Sequence, residues 1–255
     1  MLSEKQLSVP ILKVKFPNGV RALSLDVDKC MKSGDTYEAV ARARGVEGLA
    51  TEIYERYLNE KETGKAGAYL RMKLNTLAAW TNDWTKPLTL DEWLGILGEI
   101  PYALDVKETV AFCNENGIPI GINSATINPY VHQIVRELKG EGLILDFAVG
   151  NSDVRTTHGG EVEDIVYTEP FDEEKWKKHQ AISRQYNIPD DDHLLIDDGD
   201  TGVTVAREGK AVALTRKHEI LNRYAIGTVD SFTDFNGVFF VFTRGLIGKR
   251  KAQES

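Results

Sequence analysis

The chain has 255 residues, of which 42% are hydrophobic and 27% charged, with a formal net charge of −8; this is the mix of an ordinary globular protein long enough for one large core, or a core with a smaller insert. The longest apolar runs, Ile118 to Ile122 and Val238 to Phe242, are far too short to cross a bilayer, and the one basic cluster, Lys249-Arg250-Lys251, is not the basic stripe of a nucleic-acid binder. Cys30 and Cys113 alone give neither a disulfide framework nor a paired-cysteine zinc spacing, and the start Met1-Leu2-Ser3-Glu4-Lys5 lacks the charged-then-apolar pattern of a secretory signal, so a cytoplasmic location is expected.

In chain order, Leu12 to Phe16, Pro17-Asn18-Gly19 and Val20 to Leu25 read as a strand, a tight turn and a second strand. The second strand ends in Asp26-Val27-Asp28. From Thr36 to about Leu58 the pattern is helical, with Val40, Leu49, Ile53 and Tyr57 as core candidates. A second helical stretch runs from about Tyr69 to Trp80, and a short one from Leu90 to Leu97 is opened by Thr89-Leu90-Asp91-Glu92. No strand pattern occurs between Met31 and Ile100. Residues 31–100 are therefore expected to be a helical insert, with 1–30 and 101–255 forming the main domain.

After Pro101 helices and strands alternate. Val106 to Asn116 is helical and Ile118 to Ile122 a strand ending at Asn123-Ser124; Pro129 to Leu138 is helical and Leu143 to Val149 a strand. Asp172 to Tyr186 is helical, and the strand His193 to Ile196 ends at Asp197-Asp198-Gly199. A helix over Val203 to Glu208, a strand over Ala211 to Leu214 and a helix over His218 to Tyr224 follow. Such alternation implies an α/β fold, a Rossmann-like parallel sheet between two helical layers, with ligands beyond the carboxyl ends of the strands.

Three strand ends carry residues suited to one reaction. Asp26 and Asp28 are two apart and can point to one side of a strand end, so one carboxylate can attack an electrophile while the other handles a proton. A divalent cation relieves their repulsion; Mg²⁺ takes oxygen ligands, commonly one or two carboxylates plus phosphate and water. Asp198 offers a further carboxylate. Ser124 offers a hydroxyl before a helix, where free N–H groups hold an anion, and Lys175 a compact positive charge.

In that order the set resembles the motifs of the haloacid dehalogenase (HAD) superfamily, in its phosphoserine phosphatase-like branch. Leu25-Asp26-Val27-Asp28-Lys29-Cys30 stands at the first motif and Ile122-Asn123-Ser124-Ala125-Thr126 at the second. Lys175 is the third, and Leu195-Ile196-Asp197-Asp198-Gly199 the fourth. The resemblance spans about Leu23 to Phe242 and implies a Mg²⁺-dependent phosphatase acting on a small phosphorylated metabolite, neither on nucleic acid nor at a membrane. It implies Asp26 as nucleophile, Asp28 as general acid and base, and Ser124 and Lys175 as holders of the phosphoryl group. Metal ligation falls to Asp26, Asp28 (by its main-chain carbonyl) and Asp198. Substrate contacts fall to Asp35, Arg71, Ala125 and Thr126, and the helical insert becomes a cap that closes over the substrate.

The chain departs from the motifs at three places. Cys30 stands for the usual Thr or Val, Lys29 for Gly or Ser, and Gly202 for a second aspartate four residues after Asp198; Asp197 is the compensating candidate and Asp200 a weaker one. Lys29 reads as a side chain turned to solvent, and Asp35, before Thr36 and Glu38, equally reads as a helix cap. These departures leave a second reading open, a catalytically weak relative that binds a phosphorylated ligand or a protein partner. Dehalogenation is disfavoured because Asp28 and Asp198 suit a cation. Trp80, Trp84 and Trp93 read as the insert's small core, and the five histidines show no metal-ligand spacing.

Overall fold

The computed structural model describes residues 6–62, 88–167, 171–214 and 218–253. Among these, seven strands form one sheet in the order β4-β3-β2-β1-β5-β6-β7. In chain order they are β1 (Ala22–Leu25), β2 (Ile120–Ile127), β3 (Phe147–Thr156), β4 (Val162–Tyr167), β5 (His193–Asp197), β6 (Lys210–Ala213) and β7 (Gly227–Thr228). All neighbours are parallel except β3 and β4, which form an antiparallel hairpin. The expected strand from Leu143 starts later, at Phe147, and β4 was not expected.

Every residue of β1 is buried, as expected of a central parallel strand covered on both faces. Leu25 pairs with Ile122 of β2 on one side and with Ile196 of β5 on the other. This register brings Asp26, Asn123 and Asp197, each the next residue along, to the same carboxyl edge. Ser24 lies inside the core and is satisfied by Nε2 of His193 at 2.7 Å.

The segment read as a first strand is a helix, α1 (Val9–Lys15). Leu12, Val14 and Phe16 alternate in sequence, but Leu12 and Phe16 are fully buried and Val14 is 78% exposed. Burial four residues apart is the helical period, and a run this short does not separate the two periods by itself. Pro10 stands in the first turn, where its missing N–H costs nothing.

The helical stretch from Thr36 divides into α2 (Thr36–Arg44) and α3 (Glu47–Glu62). Gly45 ends α2 with φ of +65°, the left-handed conformation that glycine adopts without a Cβ penalty. Next described is α4 (Leu90–Gly98), opened by the expected capping box, in which Thr89 and Glu92 bond each other's backbone. The expected helix over Tyr69 to Trp80, with Arg71, Trp80 and Trp84, lies outside the described residues. Val40, Trp93 and Leu97 share one apolar cluster with Leu23, Leu25 and Ile122. The β3–β4 hairpin also meets this region, since Leu90 N donates to Gly160 O and Val162 N to Leu88 O.

The remaining helices are α5 (Val106–Glu115), α6 (Asn128–Gly140), α7 (Phe171–Gln185), α8 (Val203–Glu208), α9 (Glu219–Tyr224) and α10 (Phe232–Gln253). Within α10, Phe232, Phe235, Phe239 and Phe242 are buried, a 3-4-3 spacing that lays one aromatic stripe on the core. None of the described helices is long and apolar enough to cross a membrane.

Candidate active site

Asp26 follows β1 and opens a wide turn. Its N–H donates to Ile196 O, its carbonyl accepts from Met31 N, and Lys32 N donates to Val27 O. Asp28 and Lys29 leave helical geometry inside this turn, and Lys29 takes φ of +55°. Such a φ suits glycine and is costly for a residue with a Cβ.

Lys175, near the start of α7, is completely buried. Its ammonium donates to Asp26 Oδ1 at 2.6 Å, to Asp197 Oδ2, and to Thr201 Oγ1 at 3.3 Å. Burial opposes its charge, but Asp197 and Asp26 outweigh burial and hold it protonated. Helix α7 is anchored in turn, as Asn123 Nδ2 donates to the Lys175 carbonyl at 3.1 Å.

Carboxylate oxygens of Asp26 and Asp198 and the sulfur of Cys30 all lie within 4.8 Å of one another. No donor among the described residues reaches the Asp198 carboxylate. Burial and the charges of Asp26, Asp197 and Asp28 push it up to about 8. Burial likewise pushes Asp197 up to about 6, against the pull of Lys175. Negative charge therefore exceeds the one buried ammonium, and the oxygen donor set fits a hard divalent cation that needs one or two carboxylates. The Cys30 thiol is pushed up by burial, then by Asp198 and Asp26. It stays protonated and packs as a small apolar group.

Asp28 is held at the start of α2. Its Oδ1 accepts from Thr36 N at 2.8 Å and its Oδ2 from Thr36 Oγ1 at 3.1 Å. Thr36 was not singled out from the sequence; a threonine one place after a capping aspartate was the available signal. Asp35 caps α2, its Oδ1 accepting from Tyr37 N and Glu38 N, while its Oδ2 meets Lys29 Nζ at 3.2 Å. Lys29 also reaches Glu38 at 3.2 Å, so its expected solvent orientation is only half realised.

One expectation needs correction. Ser124 does not precede a helix directly: β2 continues to Ile127 and α6 starts at Asn128. The four buried residues after Asn123 extend the strand instead, with Ser124 and Ile127 paired to β3 across an irregularity. The Ser124 hydroxyl, 1% exposed, accepts from Thr126 N at 3.2 Å, and the Ala125 carbonyl accepts from Ser152 Oγ. Asp197, the compensating candidate, sits in the same cluster. It bonds Lys175 and accepts from Gly199 N at 2.9 Å.

Asp200 is engaged elsewhere. Tyr57 of α3 donates its hydroxyl to Asp200 Oδ2, and His218 Nε2 lies 2.7 Å from Asp200 Oδ1. Because His218 Nδ1 accepts from Leu221 N, Nε2 carries the proton and is the donor. Behind the site the buried rings of His179 and His193 stack at 3.7 Å. Burial pushes both down, His179 to about 4, so they serve the core as neutral rings.

No family model and no curated protein matches the chain. Solved structures do. One is a phosphoserine phosphatase solved as a phospho-aspartyl intermediate analogue: TM-score 0.67, 17% identity, 84% of this chain and 95% of that one covered. A substrate-bound phosphoserine phosphatase gives 0.66, 17%, 83% and 93%. A HAD family hydrolase from Salmonella enterica serovar Typhi gives 0.67, 12%, 88% and 73%. The fold is that of the HAD hydrolases of phosphoserine phosphatase type.

Proposed function

We propose that this protein is a Mg²⁺-dependent phosphomonoesterase that hydrolyses a small phosphorylated metabolite through an aspartyl-phosphate on Asp26. The observation that carries this reading is the Lys175 ammonium seated between Asp26 and Asp197 at the edge where β1, β2 and β5 end. A buried cation there orients one Asp26 oxygen and leaves the other for attack on phosphorus. Most catalysis of phosphoryl transfer is such positioning and charge neutralisation.

In this reading Asp26 and Asp198, with the Asp28 carbonyl, would hold the ion, which would supply positive charge against the phosphate and the crowded carboxylates. Asp26 attacks, the P–O bond to the leaving group breaks, and Asp28 protonates the departing oxygen. Asp28, now a carboxylate, takes a proton from water; the hydroxide displaces Asp26 and releases phosphate. Thr36 fixes the orientation of Asp28 throughout. Lys175 and Ser124 hold the phosphoryl oxygens, with Ala125 and Thr126 beside them.

Residues 31–100 act as the cap over a core of 1–30 and 101–255. Support comes from the Tyr57–Asp200 bond, which ties α3 to the loop after β5. It also comes from the bridge between Lys32 and Tyr102, which closes the two connections of this segment side by side. The test is a screen of serine, sugar and nucleotide phosphates with the purified protein, with and without EDTA. Turnover that EDTA abolishes is expected; tight binding of a phosphorylated ligand without turnover favours the binding-protein reading instead.

A further inference from the structure

We propose that Asp200 is a positioning residue at the centre of a latch: its two carboxylate oxygens tie Tyr57 of α3 to His218 at the start of α9, and so fasten the cap to the loop that carries Asp198. The inference rests on the phosphomonoesterase reading for the role of Asp198, and adds how cap and metal loop are held in register.

Tyr57 donates its hydroxyl to Asp200 Oδ2, and His218 Nε2 donates to Asp200 Oδ1 at 2.7 Å. The His218 side is fixed by the core. Its Nδ1 accepts from Leu221 N at 3.0 Å, and Leu221 is fully buried. Asp200 thus faces the core through one oxygen and the cap through the other. It opens the short turn Asp200–Gly202, two residues after Asp198 and directly before Thr201, whose hydroxyl accepts from Lys175 at 3.3 Å. A shift of Asp200 would reach Asp198 on one side and the buried ammonium on the other.

Helix α3 has little apolar surface to hold it. Among its described side chains only Ile53 and Tyr57 are buried, four residues apart. Neither joins the apolar clusters of the core, and Leu49, expected in the core, is exposed. A helix that buries so little opens locally at low cost, so one polar bond weighs heavily in its equilibrium. The helix also lies over the site. The Tyr54 ring sits 5.9 Å from that of Tyr57. Burial pushes the Tyr54 hydroxyl up, Lys29 opposes this, and Asp200, Asp35 and Asp198 add to it. These charges belong to the loops after β1 and β5, and α3 spans both.

The test follows hydrogen exchange of the full chain in Mg²⁺ by mass spectrometry, which needs no turnover. Tyr57→Phe removes the hydroxyl and keeps the ring. Exchange in peptides covering 47–62 and in those covering 197–202 is expected to rise together, by about tenfold, the weight of one bond to a charged acceptor. Asp200→Ala should raise both at least as much. Tyr57→Phe combined with Asp200→Ala should be no faster than Asp200→Ala alone, because the two act through one bond. His218→Gln, which keeps a donor towards Asp200, should stay nearer the parent than His218→Ala. Mg²⁺ binding, followed by calorimetric titration, should weaken about tenfold in Asp200→Ala, the scale for an outer-shell partner. Exchange that rises at 47–62 and not at 197–202 in Tyr57→Phe, additive effects in the double variant, or unchanged Mg²⁺ binding in Asp200→Ala overturns the inference. Hydrolysis of p-nitrophenyl phosphate by the parent tests the phosphatase reading separately. Its absence, with Mg²⁺ bound and the two segments still coupled, strikes that reading and leaves the latch. A parent chain that binds no Mg²⁺ contradicts both.

Discussion

Gly202 leaves the space that Asp197 fills: a Cβ built on Gly202 would lie 2.5 Å from the Asp197 carboxylate carbon and 2.7 Å from its Cβ. The acidic group that the resemblance places at 202 enters from the neighbouring strand instead, and the two positions exclude each other. Gly202→Ala is therefore expected to lower the melting temperature by roughly 3–10 °C, the effect of overpacking a fitted site. Gly202→Asp should be worse, and Asp197→Gly with Gly202→Asp should recover much of the loss. Thermal unfolding of the three variants checks this; an unchanged melting temperature in Gly202→Ala would refute it.

Lys175→Met removes the buried cation and leaves Asp26 and Asp197 unpaired. Breaking a buried pair on one side costs about 3–5 kcal/mol, and the loss of phosphoryl stabilisation about 10²–10³ in kcat. Adding Asp197→Asn should restore stability without activity. Denaturant unfolding and steady-state kinetics separate the two effects, and a stable, active Lys175→Met would contradict both.

The alternating pattern after Pro101 was enough to place β2, β5 and β6 and the helices between them, because apolar runs bounded by turn residues have few alternatives. The positions of Asp26, Lys175 and Asp198 were legible as well, since they come at strand and helix ends whatever packs behind them. Other features depend on tertiary packing that no local pattern shows. Leu12 and Phe16 fit either period, and only the surface they meet selects the helix. The β3–β4 hairpin needs the 88–90 segment against it, and the Lys29 ion pairs follow from a backbone turn that lysine does not favour. The pairing of Asp197 with Gly202 links positions five apart that seemed to compete only in charge.

Stability without metal should fall as pH rises. Asp198 and Asp197, pushed up to about 8 and about 6, bind protons more tightly folded than unfolded, where an aspartate titrates near 3.9. The folded state is therefore favoured below about pH 4 relative to neutral pH as far as these two groups decide, and their contribution is lost as pH rises from about 4 to about 8. Mg²⁺ should remove most of that slope. Melting temperatures across this range in EDTA and in Mg²⁺ check the claim; parallel curves would contradict it.

Thr36→Val keeps the backbone donor to Asp28 and removes the hydroxyl. Loss of that one bond to Asp28 should cost roughly tenfold in kcat with little change in KM, and Thr36→Ser should retain activity. Equal kcat for the valine variant and the parent would show that Asp28 needs no such support.

The most direct test is to catch the phosphoryl group on the protein. The chain is mixed with p-nitrophenyl phosphate and Mg²⁺, quenched in acid within the first turnovers, and its peptides are weighed by mass spectrometry. One phosphoryl group on the peptide that carries Asp26, absent in Asp26→Asn and in EDTA, is the expected result. Turnover that persists in Asp26→Asn, or a phosphoryl group found on another residue, would contradict the account.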